Sequence, residues 1–351
     1  MPDPLLARPT PYLLVDADVL GANVQAMAGF ARERGLALRP HAKTHKSTEI
    51  ARLQLDAGAT GLTVATVAEA EVFTAAGCKD VLIGYPLWVD RAKGARLRAV
   101  AERAMLTVGV DSVEGARALA AQVPGTAVLL EVDCGQHRTG VRPADAGALA
   151  ESADRAGLDV RGVFTFPGHS YAVGAAQEVA RQEATALRTA VASLAAHGIE
   201  ARVVSGGATT SAADVDADVL TEMRPGVYVF GDAQQWELGC TTPDRVALSC
   251  VATVVSLAGG NVVLDAGSKV LGADRAAYAT GHGRLPDHPD ARIPLLSEHH
   301  AVVAWDGSPL PSPGSRLRVV PNHVCAAVNL VDELVLADGS SWPVSARGAN
   351  T

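Results

Sequence analysis

The sequence predicts an α/β protein in which a (β/α)8 TIM-type barrel is followed by a C-terminal β-domain. From residue 12 to about residue 230, short β-branched or leucine-rich runs alternate with alanine-rich amphipathic segments, which is typical of repeated βα units. After about residue 240 the strand-like runs follow one another without helical segments between them. The 351 residues exceed the roughly 250 that a barrel needs, so a second domain is expected.

The barrel prediction depends on eight strand-like runs, each bounded by a polar or glycine-containing turn. The segments between them have helical spacing; in 175–197, apolar residues recur at intervals of three and four. Eight such units favour a closed barrel, although an open doubly wound sheet gives a similar pattern. The predicted strands are 12–16, 36–40, 61–65, 81–85, 106–110, 127–132, 160–165 and 201–205.

The β-domain prediction depends on runs separated by turn residues. Segments 258–261 and 337–340 contain Gly-Gly and Asp-Gly, which tolerate the positive φ of hairpin turns. We expect a barrel over residues 10–238 and a β-domain over residues 239–351, with residues 1–9 packed on the β-domain. The predicted β-domain strands are 246–257, 260–264, 293–296, 301–305, 316–320, 326–330 and 333–336.

Composition argues against several classes of partner. The net charge is −8 and no Lys/Arg-rich run offsets it, so no nucleic-acid partner is expected. The N-terminus has no basic segment followed by an apolar one, and no apolar run reaches about 18 residues, which indicates a cytoplasmic protein without a membrane partner. The five cysteines are scattered without CxxC spacing, so a disulfide framework is not expected.

Lys43 is a candidate nucleophile because it follows the predicted strand 36–40 and precedes a segment with helical spacing. Barrel enzymes carry their chemistry at such strand ends, and a lysine amine there can form a Schiff base. A basic surface loop would explain the same residues. The carboxyl ends of other predicted strands add Arg138, His169 and Tyr171 to the same face.

Residues 205–210 have the composition of a phosphate cradle. The backbone N–H groups of Gly206 and Gly207 can approach an anion closely, and hydroxyl groups such as those of Ser205 and Thr209 add donors. Gly226 and Tyr228 follow at about the distance of the next turn and could add an N–H group and a phenol. A plain turn is the alternative. Beside a Schiff-base lysine, the cradle indicates pyridoxal 5′-phosphate (PLP).

His323 and Cys325 form a candidate metal pair. In a strand, residues at i and i+2 share one face, and imidazole with thiolate suits Zn²⁺. A buried cysteine beside a hydrogen-bonded histidine is the alternative explanation.

Together these segments resemble the D-serine dehydratase and D-threonine aldolase family, a branch of the alanine-racemase-like, fold-type III PLP enzymes. The similar segments keep the family's order and span nearly the whole chain; they are 39–46, 133–141, 168–171, 205–207 and 321–325.

The resemblance implies a role for each matching residue. Lys43 matches the Schiff-base lysine, Arg138 the arginine beside the cofactor's phenolic oxygen, and His169 and Tyr171 the motif near its ring, which makes them catalytic candidates. The positions that match the phosphate-binding residues are Ser205, Gly206, Gly207, Thr209, Gly226 and Tyr228.

The resemblance also implies a homodimer and a PLP- and metal-dependent lyase acting on a D-amino acid with a 3-hydroxyl group. The dehydratases of the family resemble the His-x-Cys pattern of His323 and Cys325, whereas the aldolases more often carry His-x-Asp with Mn²⁺ or Mg²⁺. D-serine or D-threonine dehydration is therefore the leading hypothesis. D-threonine aldolase, an amino-acid racemase and a non-enzymatic PLP-binding protein are the alternatives.

Overall fold

The computed structural model describes residues 7–351, and these divide into two compact units. The barrel unit comprises residues 27–43, 51–226 and 349–351. The β-unit comprises the described residues 7–26 together with 44–50 and 227–348. Each unit is therefore assembled from separate stretches of the chain, and the first 50 residues contribute to both.

The helices and strands follow in chain order. The helices of the described residues are α1 (Ala17–Glu33), α2 (Thr48–Asp56), α3 (Val67–Ala75), α4 (Arg91–Ala101), α5 (Val113–Gln122), α6 (Ala146–Arg155), α7 (Ala176–Ala196), α8 (Ala233–Glu237), α9 (Ser268–Leu271) and α10 (Val324–Val328). The strands are β1 (Tyr12–Val15), β2 (Ala37–Leu38), β3 (Leu62–Val64), β4 (Asp80–Pro86), β5 (Met105–Val110), β6 (Ala127–Glu131), β7 (Asp159–Phe164), β8 (Val203–Gly206), β9 (Glu222–Met223), β10 (Leu248–Ser256), β11 (Val262–Leu264), β12 (Arg292–Leu296), β13 (Ala301–Ala304), β14 (Arg316–Val319), β15 (Glu333–Leu336) and β16 (Ser341–Pro343).

The barrel unit contains a parallel sheet of eight strands in the order β2-β9-β8-β7-β6-β5-β4-β3. Its two end strands are joined by backbone hydrogen bonds from Thr60 N–H to the Leu38 carbonyl (2.9 Å) and from Thr63 N–H to the Pro40 carbonyl (2.8 Å). Inside the sheet, Leu82, Leu129 and Phe164 form a buried cluster, so the interior is packed with side chains. The predicted fold class, a (β/α)8 barrel with a C-terminal β-domain, is confirmed.

The membership of the barrel differs from the prediction at one strand. The run 12–16 was expected to be a barrel strand, but β1 pairs antiparallel with β10 and parallel with β15 in the β-unit. The eighth barrel strand is instead β9, which pairs with β2 and β8. Periodicity could not detect β9, because two residues are too few for a pattern and one of them is a buried glutamate.

The barrel helices begin where the sequence supplies capping side chains. Thr66 caps α3 and Ser112 caps α5, each accepting from the backbone N–H three residues later. The stretch 175–197 forms α7, as its spacing predicted. Helix α7 is central to the site, because it buries Glu183 and carries Gln182 close to His169.

The β-unit contains a sheet in the order β12-β13-β11-β10-β1-β15-β16, with β14 also paired to β10. The predicted hairpin turns are present, since β10 pairs with β11 and β15 with β16, both antiparallel. One prediction is wrong, because residues 326–330 were expected to be a strand but overlap helix α10. Strand β16 was not predicted. Five or fewer apolar residues do not distinguish a helical turn from a strand.

Residues 1–9 were expected to pack on the β-domain. Residues 1–6 lie outside the described residues, so only residues 7–9 can be compared with this expectation. Of these, Arg8 forms an ion pair with Glu333, and its carbonyl accepts a hydrogen bond from the Arg316 guanidinium (2.8 Å). Arg8 therefore contacts the β-unit at two of its strands.

Candidate active site

A cavity of about 320 Å³ lies in the barrel unit around Lys43. Lys43 belongs to a 3₁₀ turn, Ala42–Thr44, which begins a few residues after the end of β2. Arg138, Arg224 and His41 also line the cavity, and the lining contributed by the described residues contains no Asp or Glu. The excess of positive groups suits an anionic ligand.

Phe166 connects the two predicted cofactor contacts of this cavity. The Lys43 ammonium lies 5.5 Å from the centre of the Phe166 ring, and the Arg138 guanidinium lies 5.3 Å from it. The structure thus brings together Lys43 and Arg138, which are 95 residues apart in the sequence. Phe166 follows β7 and was not selected from the sequence.

Lys46, the nearest competitor for the nucleophile role, has a structural position. Its side chain is buried, its ammonium donates to the Ala346 carbonyl (3.3 Å), and its own carbonyl accepts from Ala346 N–H (2.9 Å). The geometry therefore favours Lys43 as the Schiff-base lysine, a role that stays a prediction.

The predicted phosphate cradle has protein partners of its own in this structure. The Gly207 N–H donates to Glu183 Oε1 (2.7 Å), and a Cβ atom at Gly206 would lie 2.4 Å from the same oxygen. The Ser205 hydroxyl donates to Glu222 (2.6 Å) and accepts from Arg224 (2.6 Å). The glycines thus permit close approach of a buried carboxyl group, and the phosphate-binding roles stay predictions. Glu183 was missed because it lies inside an otherwise ordinary helical pattern.

The segments after β7 and β8 meet at one hydrogen bond. The hydroxyl groups of Ser170 and Thr210 are 2.5 Å apart, and both side chains are buried. His169 and Tyr171 flank Ser170, and Thr209 precedes Thr210, so both predicted motifs lie in the same region of the barrel unit.

The structure places Gly226 and Tyr228 in different units. Gly226 ends a segment of the barrel unit, whereas Tyr228 is a buried residue of the β-unit. Their predicted roles at the phosphate stay predictions.

His169 is oriented by a hydrogen-bond chain on α7. The Gln182 amide nitrogen donates to Glu178 (3.0 Å), which leaves the Gln182 carbonyl oxygen facing His169 Nε2 (2.8 Å). Nε2 therefore donates, and Nδ1 is buried without a hydrogen-bond partner. His169 does not line the Lys43 cavity, so its predicted catalytic role has no geometric support from that cavity.

A cluster of buried charged groups surrounds Arg224, which is one of the residues that line the cavity. Burial lowers the pKa of Arg224, against the opposing effect of Glu222, Glu183 and Glu131. Burial raises the pKa of Glu183 to about 7, although the Gly207 N–H and the charge of Arg224 lower it. These buried carboxyl groups offset the cost of burying the Arg224 charge, so the guanidinium stays charged inside the barrel.

The structure corrects the expected setting of His323 and Cys325. They do not lie on a strand: His323 is the residue before α10, with φ −127° and ψ 102°, and Cys325 is within the first turn of that helix. Their side chains are nevertheless hydrogen-bonded to each other, and Cys325 Sγ donates to Thr44 Oγ1 (3.4 Å). The two side chains therefore converge at the start of a helix and not on one face of a strand.

The electrostatics of His323 reflect the negative groups around it. Burial alone would lower the pKa of His323, but Cys325 and the carboxylates of Asp232 and Asp274 raise it to about 9. The Asp274 carboxylate lies 3.9 Å from His323 Nδ1. The chemistry of the pair fits a divalent metal ion, because imidazole and thiolate are both ligands of such ions, and the nearby carboxylates add negative charge.

Within residues 7–351, no cluster of three or more His, Cys, Asp or Glu side chains is arranged to hold a metal ion.

An eight-stranded parallel barrel with a lysine-bearing cavity, together with a separate β-sheet unit, defines the alanine-racemase-like class of enzymes. The sequence model of the alanine racemase N-terminal domain matches residues 15–234, and that of a serine dehydratase domain matches residues 247–337. The chain belongs to the D-serine dehydratase and D-threonine aldolase family of PLP-dependent lyases, as the resemblance predicted.

Relatives with both named activities are similar over nearly the whole chain. The D-threo-3-hydroxyaspartate dehydratase of Delftia sp. (strain HT23) is 34% identical, covering 97% of each chain. Its solved structure has a TM-score of 0.89 and covers 97% of this chain and 98% of the relative. A cysteine-to-alanine mutant of that dehydratase, solved in the metal-free form, is similar with a TM-score of 0.88.

The aldolases are comparably similar. The D-threonine aldolase of Arthrobacter sp. is 36% identical, covering 99% of this chain and 94% of the relative. The solved D-threonine aldolase of Filomicrobium marinum is 34% identical, with a TM-score of 0.87 over 98% of this chain and 96% of the relative. Overall similarity therefore shows the family without selecting between the two activities. None of the described helices has the length and apolar character to cross a bilayer.

Proposed function

We propose that this protein is a PLP- and metal-dependent dehydratase that converts a D-3-hydroxy amino acid to a keto acid and ammonia. The observation that carries the proposal is the convergence of His323 and Cys325, because this imidazole and thiol have the donor chemistry to hold a divalent cation. The relative from Delftia is named a dehydratase, and its cysteine-to-alanine mutant was solved in the metal-free form. Both findings agree with a thiol-dependent metal site.

The residues of the barrel unit would perform the proton transfer. PLP, when bound, stabilises negative charge that develops at the substrate Cα. The Lys43 amine would hold the cofactor and would accept the substrate's Cα proton at Nζ. Arg138, which also lies beside the Phe166 ring, would bind an anionic oxygen of the cofactor.

The cation pair, His323 and Cys325, would assist the departure of the substrate's 3-hydroxyl group. A divalent cation held there supplies a Lewis acid for the substrate's 3-hydroxyl group, which is a poor leaving group by itself. Thr44, a residue of the same unit as the pair, accepts a hydrogen bond from Cys325 Sγ (3.4 Å), which restricts the position of the thiol.

The identity of the substrate side chain depends on whether a basic residue is available to bind a second carboxylate. Arg142 is exposed and paired with Asp145 (2.6 Å), so it is a poor candidate for a second substrate carboxylate. Arg275 is exposed and follows Asp274, whose carboxylate is 3.9 Å from His323. D-threo-3-hydroxyaspartate therefore belongs in the substrate panel beside D-serine and D-threonine.

A D-threonine aldolase is the second candidate, because the aldolase from Arthrobacter is 36% identical and covers almost the whole chain. Incubation of the holoenzyme with D-threonine separates the two. The dehydratase produces 2-oxobutyrate and ammonia, whereas acetaldehyde and glycine would establish the aldolase. Loss of turnover with EDTA and recovery with Zn²⁺ or Mn²⁺ is expected for both lyases. Activity that persists after complete chelation would instead indicate a racemase.

A further inference from the structure

Asp232 is a buried carboxylate with an unusual set of partners in the β-unit. It is 1% exposed and precedes α8, where its Oδ1 accepts the Gln235 N–H (2.8 Å). Its Oδ2 accepts the Val324 N–H (3.2 Å) from a segment about 90 residues further along the chain. One carboxylate thus caps its own helix and holds the start of α10.

The residue that Asp232 holds lies between the two members of the cation pair. Val324 is the first residue of α10, preceded by His323 and followed by Cys325. The first N–H groups of a helix need acceptors from outside it, and the His323 side chain supplies none here. Because Asp232 fixes the peptide group between His323 and Val324, it restricts the directions in which the flanking side chains point.

Two further hydrogen bonds attach the same segments to each other. The Ala233 N–H donates to the Pro321 carbonyl (3.0 Å), and the Gln234 N–H donates to the Asn322 carbonyl (3.3 Å). The first turn of α8 therefore runs against residues 321–324 over four residues. Asp232 contributes the bond at the end of this contact that is nearest to Cys325.

The burial of Asp232 distinguishes it from an ordinary helix cap. Asp90 caps α4 with the same type of bond, to the Lys93 N–H (2.8 Å), but in an exposed position where a carboxylate costs little. Burial raises the pKa of Asp232 to about 6, although backbone N–H groups and His323 oppose this. A buried carboxylate is costly unless it is fully hydrogen-bonded, so a simple cap does not require one.

We propose that Asp232 is a positioning residue for the cation pair, holding His323 and Cys325 in the arrangement that binds a divalent metal ion. The inference rests on the proposed function, since it assumes that this pair binds the metal. Carboxylates that orient metal ligands through backbone or imidazole N–H groups affect metal affinity without touching the ion.

The test compares metal affinity in Asp232→Asn, Asp232→Ala and the unaltered protein. The holoenzyme is freed of metal with a chelator and titrated with Co²⁺, whose thiolate charge-transfer absorbance reports ligation by Cys325. The Zn²⁺ dissociation constant is measured by competition with a chromophoric chelator. We expect the affinity to fall by about 10- to 100-fold in both variants. In Asp232→Asn the side chain keeps its size, but its amide nitrogen cannot accept the second N–H.

Asp265→Asn is the matched control in the same unit. The Asp265 carboxylate accepts the Thr253 N–H (2.7 Å) and the Thr10 hydroxyl (2.6 Å), and it contacts neither metal-pair residue in these bonds. Its metal affinity should equal that of the unaltered protein. The visible absorbance of the PLP Schiff base should persist in all variants, which shows that the barrel unit is intact.

The possible outcomes are distinguishable. Affinity within twofold of the unaltered protein in Asp232→Asn would overturn the positioning role, as would an equal loss in Asp265→Asn. If Asp232→Ala is insoluble, Asp232→Asn decides by the same criterion. If the unaltered protein shows no charge-transfer band and no Zn²⁺ binding, the cation pair itself is refuted and the proposed function fails with it.

Discussion

Replacing Glu183 by glutamine should remove a pH-dependent decrease in the free energy of unfolding that the buried carboxyl group causes. Glu183 is completely buried, and burial raises its pKa to about 7 from an ordinary value near 4.5. One pKa unit corresponds to about 1.4 kcal/mol, so the full effect is about 3 kcal/mol. Glutamine has the same shape, and its carbonyl oxygen can still accept the Gly207 N–H.

The sign follows from proton linkage. Between about pH 4.5 and pH 7 the unfolded chain has lost the Glu183 proton while the folded protein retains it, so stability falls as the pH rises. The cost is absent below pH 4.5 and complete above pH 7. Glu183→Gln does not titrate, so its stability relative to the unaltered protein should rise over this range. Roughly 2.5 kcal/mol of that change should appear between pH 5 and pH 8.5.

The measurement is urea unfolding of the cofactor-free protein, followed by circular dichroism at 222 nm across this pH range. The informative quantity is the pH dependence of the difference, since a constant offset reflects the new buried amide. Glu178→Gln, an exposed position on the same helix, is the control and should change by less than about 1 kcal/mol. A Glu183→Gln difference that is flat or falls with pH would refute the reasoning.

Three further predictions concern individual residues. Lys43→Ala should abolish the visible absorbance of the PLP Schiff base, whereas Lys46→Ala should retain it; the reverse would move the nucleophile to Lys46. Gly206→Ala should destabilise the cofactor-free protein by about 1–3 kcal/mol in thermal unfolding, because its Cβ would lie 2.4 Å from Glu183 Oε1. Most of this loss should disappear in a Glu183→Ala background, and a loss confined to PLP affinity would contradict the steric explanation. Arg39 forms ion pairs with Asp80 and Glu222, whose side chains are largely buried. Arg39→Met should therefore cost about 3–5 kcal/mol of unfolding free energy, because both carboxylates lose their ion-pair partner. A loss below about 1 kcal/mol would show that these carboxylates are solvated.

The sequence predicted the elements whose patterns are local. Helix α7 was expected at 175–197 and occupies Ala176–Ala196, because a 3.6-residue period over five turns is unambiguous. The position of Lys43 was predictable for a related reason, since a short apolar strand and a helical segment bracket it. Arg138 depended on family resemblance, and the structure places it beside the same phenylalanine as Lys43.

Strand partners were not predictable, because pairing depends on residues far apart in the chain. The run at Tyr12–Val15 has the composition of a barrel strand, yet its partners are Leu248–Ser256 and Glu333–Leu336. The two-residue strand Glu222–Met223 has no periodicity to detect and is defined only by its neighbours. The sheet order was therefore decided by tertiary packing.

The sequence by itself indicated the class of chemistry: a lysine at a strand end and a glycine-rich turn point to PLP, and the resemblance of the His-x-Cys segment to the family added the expectation of a metal ion. Only the tertiary structure decided which groups support them. Glu183 and Asp232 are single acidic residues in unremarkable helical contexts, and their importance arises from burial and from the backbone N–H groups that they accept. Burial and long-range hydrogen bonding are properties of the folded chain, so no local pattern encodes them.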